Sequence, residues 1–364
     1  MDVRIAESAE AFDLPQWREL ARLDPNGNIF FTPEWGRLWW DSFGEGKRLV
    51  VVTFVDPEPV GLAALMIDDT EDGRRIRFLG GDDLTDYLGP LVAGPDHQGP
   101  VAEALLSYLS KDLDDWSYFD AKCLPVPFGF SEWFVEAADR LGMTFSVEMT
   151  EMTAVLPLPP TFDDYLASLT QKQRHELRRK TRRFEREVPG AALRTATKDS
   201  LPADLETFVE MHRKSEGPKG EFMRPERASF FEKVTAEFGP REVLFLDFLE
   251  LSDDGGFGGV AAGNRYDLGA PEAANPLKKS GGAGGVAAAM FSFEFDGVFY
   301  LYNSAFDKAL AAFSPGVVMV AKLIERSIQK GLTRFDFLRG RERYKFDLGA
   351  QALPLHSVMI KRSG

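Results

Sequence analysis

The chain has 364 residues, too many for one small core and suited to two domains of about 150 to 200 residues each. An apolar share of 44% with 30 Phe excludes a disordered or low-complexity chain. Acids outnumber bases by 57 to 43, and the net charge of -14 argues against nucleic acid or an anionic membrane as partner for the surface as a whole.

The single cysteine, Cys123, has no partner for an intrachain disulfide and reads as an inert core thiol. The start, MDVRIAESAEAF, lacks the charged head and apolar run of a secretory signal. No stretch approaches the roughly 18 to 20 consecutive apolar residues that cross a bilayer, so the expectation is a soluble, cytoplasmic protein.

In chain order, residues 13–23 and 33–43 predict short helices. The second is opened by Thr32-Pro33, an N-cap followed by proline at the first helical position, and its Trp35, Trp39, Trp40 and Phe43 predict core. LVVVTFV and GLAALMI around Asp56-Pro57-Glu58-Pro59 predict a β-hairpin between Leu49 and Ile67, with further strand in RRIRFLGG and DYLGPLV. A loop bearing Gly94, Pro95, Gly99 and Pro100 leads into a helix over 101–111, the strand WSYFDAKCL, a helix over 131–141 ended by Gly142, and a strand running to Leu158.

The second half predicts a helix over 162–187, another over 203–215, and the strand EVLFLDFLEL. Residues 252–285 are glycine-rich without apolar periodicity and predict a flexible insert. A phosphate cradle there lacks the P-loop or dinucleotide spacing. The strands VAAAMFSFEF and VFYLYNSAF meet at Asp296-Gly297, a strong hairpin signal because both positions tolerate a left-handed backbone. Phe313-Ser314-Pro315-Gly316 then opens a helix with an apolar stripe at Val317, Val320, Ala321, Ile324 and Ile328, capped by Gly331 and followed by the strand TRFDFL. Both halves run strand, turn, strand, loop, helix, strand. Both last strands contain Phe-Asp, at 119–120 and 335–336, so an internal repeat is expected.

Three places carry candidate chemistry. At Ser314-Pro315-Gly316-Val317 the unpaired amides of a helix start, among small residues, suit a pyrophosphate such as that of coenzyme A, though the same residues also suffice merely to begin a helix. The segment 336–350 crowds Arg339, Arg341, Arg343 and Lys345 behind a buried-looking strand, where cations reach an anionic donor or an oxyanion. The alternative is a solvated loop with Glu342 and Asp347 pairing locally. The basic run from Lys172 to Arg186 leaves a narrow apolar stripe and reads either as a solvated helix or as an anion-binding face. His97, His175, His212 and His356 lie far apart with no metal-ligand spacing, and no GxSxG elbow occurs.

FTPEWGRLWWDSFG near the start, LPLPPTFDDYLASLTQKQRHELRRKTRRFE in the middle and the block from Ala287 to Ala350 together resemble the CelD/BcsL-like GNAT acetyltransferases, distant relatives of the FemABX peptidyltransferases. That resemblance implies an α+β chain with a tandem GNAT-like fold, two mixed sheets each flanked by helices, divided into domains at 1–155 and 156–364 with the donor site in the second. It implies acetyl-CoA or another acyl-CoA as co-substrate, no metal, and a small-molecule or saccharide amine as acceptor, in cell-surface polysaccharide or envelope metabolism. By the same resemblance Lys345 and Tyr344 stand where an aromatic-lysine pair places donor phosphate and reacting carbonyl. Ser314, Pro315, Gly316, Val317 and Arg339 would then bind the donor. Asp336 would orient the amine or accept its proton, or else serve as a structural partner for an arginine. Two other readings stay open: an aminoacyl-tRNA-dependent ligase of the FemABX kind, and a non-catalytic protein that keeps the fold.

Overall fold

Why each segment folds as it does is legible at its ends. Thr32 accepts a hydrogen bond from the Trp35 amide and Pro33 starts the helix Pro33–Phe43 (α2), preceded by Pro15–Leu23 (α1). Asp296 and Gly297 both take positive φ, 47° and 72°, and close the hairpin whose last pair is Phe295 with Val298. Gly331, at φ 75°, follows the helix Pro315–Gln329. The computed structural model describes residues 1–81, 83–215, 218–251 and 285–362; all of the predicted insert but Gly285 lies outside them.

The chain divides into two units, Met1–Thr153 with Ala352–Gly364, and Ala154–Gln351. In the first, β1 (Asp2–Ala6), β2 (Arg48–Val55), β3 (Pro59–Thr70) and β4 (Gly73–Phe78) form an antiparallel meander. The two-residue β5 (Leu91–Val92) pairs with β3, so most of the DYLGPLV segment is irregular rather than strand. Helix α3 (Gln98–Lys111) then crosses over to β6 (Tyr118–Pro125), which runs parallel to β4 with Ile76 opposite Phe119. Helix α4 (Phe130–Arg140) follows, and β7 (Thr144–Pro157) leads out of the unit. Phe78, Phe119 and Phe134 pack edge to face or tilted in its core.

The second unit begins with α5 (Phe162–Ser168) and α6 (Gln171–Glu187). The sequence predicts one helix here, but Leu169 and Thr170 are extended. Thr170 and Gln173 form a capping box whose side chains satisfy the amides of a new helix start, so the chain restarts instead of continuing. After β8 (Ala192–Thr195), α7 (Leu201–Arg213), α8 (Pro218–Phe222) and α9 (Pro225–Phe238) come β9 (Leu244–Glu250), β10 (Val286–Phe295) and β11 (Val298–Phe306) as an antiparallel meander. Helix α10 (Pro315–Gln329) crosses to β12 (Arg334–Arg339), parallel to β11 with Tyr300 opposite Asp336. A short α11 (Arg343–Asp347) precedes β13 (Gln351–Lys361), which pairs antiparallel with β6. The repeat is therefore one of topology: each unit is a meander, a crossover helix and a parallel strand. Tyr165, Phe184, Leu310, Val318, Ile324 and Phe335 share the core of the second unit.

Candidate functional site

The capping box that starts α6 also builds the wall of a cavity. The Gln173 side chain takes the Thr170 amide hydrogen at 2.9 Å and donates at 2.8 Å to the Phe346 carbonyl, tying the first turn of α6 to α11. Between them lies a cavity of about 970 Å³, lined by Thr170 to Gln173, His175 to Leu177 and Lys180 from α6, Val317 from α10, and Arg343, Tyr344, Asp347 and Leu348. The volume lies at the upper end of the range for small-molecule sites, about 300 to 1,000 Å³. Lys180 pairs with Glu176 at 3.9 Å and Arg343 with Asp347 at 3.5 Å, so the cations of the lining exceed its acids by the charge of Lys172, a modest bias toward an anionic ligand in an otherwise acidic chain.

Tyr344 lines this cavity with its ring edge-on to Phe337, and burial, with Glu342 adding to it, holds its phenol above the ordinary tyrosine range. A phenol kept neutral donates a hydrogen bond and offers no negative charge, which suits a group facing a developing oxyanion or thiolate.

Lys345 is placed differently. Its side chain is 4% exposed and is absent from the cavity lining. Its ammonium donates to the Arg339 carbonyl at 2.6 Å and the Leu338 carbonyl at 3.4 Å, and pairs with Glu342 at 3.0 Å, using all three donors. Those carbonyls belong to an irregular strand end, with Leu338 at φ 58° and Gly340 at φ 123°, a conformation only glycine adopts readily. Asp336, 1% exposed, accepts the Leu338 amide at 2.8 Å and braces the same bend. Lys345, Asp336 and the Arg339 carbonyl are thus brought together around the bend under α11, from which Tyr344 reaches the cavity.

Of the predicted donor-binding residues, Val317 lines the cavity; Ser314, Pro315, Gly316 and Arg339 do not. Ser314 stands left-handed at φ 56° and makes no side-chain cap, so it leaves the amides of Gly316 and Val317 in the first turn of α10 without a capping oxygen. A Cβ on Gly316 would meet only Phe306, at 4.0 Å, so packing within the protein does not demand a glycine there. The Lys172 to Arg186 run is helical as expected, and its first half supplies much of the cavity wall. Sequence reasoning missed Thr170, Gln173 and His175; the Thr-x-x-Gln pattern was the signal for the first two.

Residues 171–268 and 279–346 match the family model of the acetyltransferase (GNAT) domain. Among solved structures, FemX aligns over 98% of this chain and 97% of its own at 13% identity, with a TM-score of 0.63. A conserved protein of unknown function from Bacteroides thetaiotaomicron aligns over 99% and 100% at 12% identity, with a TM-score of 0.58. At such identities the likeness establishes a shared fold along nearly the whole chain. No curated protein matches the sequence.

Proposed function

We propose that this chain, with a GNAT acetyltransferase domain matched over residues 171–268 and 279–346, is an N-acyltransferase that moves an acyl group from acyl-CoA to an amine in the cavity between α6, α10 and α11. The observation that carries the reading is the meeting of a cation-rimmed cavity with the uncapped start of α10 at Val317, beside a neutral phenol. The donor's phosphates lie at the amides of Gly316 and Val317, drawn by the partial positive charge of the helix start. The amine nitrogen bonds to the acyl carbon, the carbon-sulfur bond breaks, and coenzyme A leaves as the thiol with the proton the nitrogen gives up. Tyr344 donates a hydrogen bond to the charge that develops in that step. Lys345 and Asp336 act as positioning residues, holding the bend that carries Tyr344.

Calorimetric titration with acetyl-CoA and longer acyl-CoAs tests the reading together with Gly316→Asp. An aspartate in the first turn of α10 fits the available space and complements the helix dipole, leaving stability unchanged or raised by about 0.3 to 1 kcal/mol. The same carboxylate repels phosphate, so acyl-CoA affinity falls by about tenfold or more. If no acyl-CoA binds the wild-type protein, the donor is not an acyl-CoA; if the variant binds as tightly, the donor site lies elsewhere.

A further inference from the structure

Beyond the cavity, α6 carries a second feature that acyl transfer does not use. Gln171, Arg174, His175, Arg178, Arg179, Arg182, Arg183 and Arg186 line a groove of about 570 Å³, sharing Gln171 and His175 with the cavity described above. Several of these arginines have partners. Arg174 donates to the Leu166 carbonyl, Arg179 pairs with Glu176, Arg186 with Glu187, and Arg183 lies over the Phe313 ring. Arg178 and Arg182 are exposed and have no partner among the described residues.

Two guanidiniums at i and i+4 repel each other and weaken a helix by a few tenths of a kcal/mol. An anion between them relieves that repulsion and accepts two planar forks. In a chain of net charge -14 this is a local reversal of sign, continuous with the candidate site. Along the helix, Lys172 at the cavity and Arg182 in the groove are separated by about 15 Å, more than one sugar or one phosphate spans. Among the described residues no Phe, Tyr or Trp lines the groove, and His175 is its one ring. Binding of single-stranded nucleic acid relies on successive rings as stacking platforms, so the lining favours an anion without bases.

We infer that the Arg178 and Arg182 face of α6 binds an extended acidic glycan, carrying carboxylate or phosphate groups, whose amine-bearing end enters the cavity. The inference rests on the proposed acyl transfer only in naming that end as the acceptor; the binding itself is independent of it.

Fluorescence titration of the full chain with polygalacturonate, with inorganic polyphosphate and with a single-stranded RNA homopolymer of matched charge tests the binding over a salt series. The two base-free chains are expected to bind, more weakly as salt rises. Replacing both arginines (R178Q and R182Q) should lower their affinity by about tenfold or more, while the Lys pair (R178K and R182K) keeps part of it. Circular dichroism confirms folding of each variant, since Gln and Lys are good helix formers. Acyl-CoA titration of the same variants should be unchanged, so failure of the glycan site and failure of the donor site read out separately. Binding of RNA alone, binding of no probe by the folded wild type, or equal binding by the Gln variant overturns the inference.

Discussion

A lysine ammonium held away from water needs its donors engaged, and Lys345 meets that need with two carbonyls and one carboxylate. Its charge is thereby committed to the bend after β12, and the neighbouring residue, Tyr344, is the one that lines the cavity. Asp24 shows the opposite balance in the first unit. It is 5% exposed, accepts the Val92 amide at 2.7 Å and the Asn26 amide at 2.7 Å, and burial nevertheless raises its pKa from 3.8 to about 6. Because the folded state holds the proton more tightly than the unfolded chain, Asp24 contributes most to stability below about pH 4. That contribution is lost as pH rises to about 6, a swing of about 3 kcal/mol. Urea unfolding between pH 4 and 7 should show this fall, and Asp24→Asn should flatten it. An unchanged slope in the variant would assign the dependence to other groups.

Among the elements, α6 has the most to do. Its inner side buries Leu177 and Phe184 at i and i+7, its first turn is locked by the capping box, and its outer side carries Arg178 and Arg182, which have no partner among the described residues. One residue, Thr170, decides where it starts. Thr170→Ala removes the oxygen that accepts the Gln173 amide and loosens the Gln173 side chain that holds Phe346. The expected loss is about 1 kcal/mol in urea unfolding, as for other lost N-caps, with a several-fold weaker acyl-CoA affinity because the cavity wall is no longer tied. An unaffected affinity would separate the capping box from the site. Helix α10 joins packing to chemistry in the same way, with Val318, Met319, Leu323 and Ile324 in the core and Val317 at the cavity.

On the scale of the whole chain, each unit is a meander followed by a parallel strand reached through a helix, and the last strand leaves its sequence neighbours. β13 runs along β6 with Leu355, Val358 and Ile360 fully buried. Burial of three such side chains is worth about 5 kcal/mol or more, comparable with the net stability of a domain. A chain ended after Gln351 should therefore lose the protease resistance of residues 1–153, although the deletion lies about 200 residues away from them. Mass mapping of limited digests checks this, and resistance that survives the truncation would mean β6 does not depend on β13.

Alternating apolar runs, Thr32-Pro33, Asp296-Gly297 and Gly331 made the strands, the hairpin and the crossover helix legible in the sequence, because each acts through backbone preferences within a few residues. Local pattern also placed Tyr344 in the segment from which it now lines the cavity, and marked α6 as basic. The fate of each charge was beyond that reach. Whether Lys345 faces a ligand or a carbonyl, and which arginines of α6 keep an unpaired guanidinium, depends on atoms brought close by folding from elsewhere in the chain. The pairing of β13 with β6 is of the same kind: a strand's own sequence states its alternation but not its neighbour, which only burial of a shared face selects.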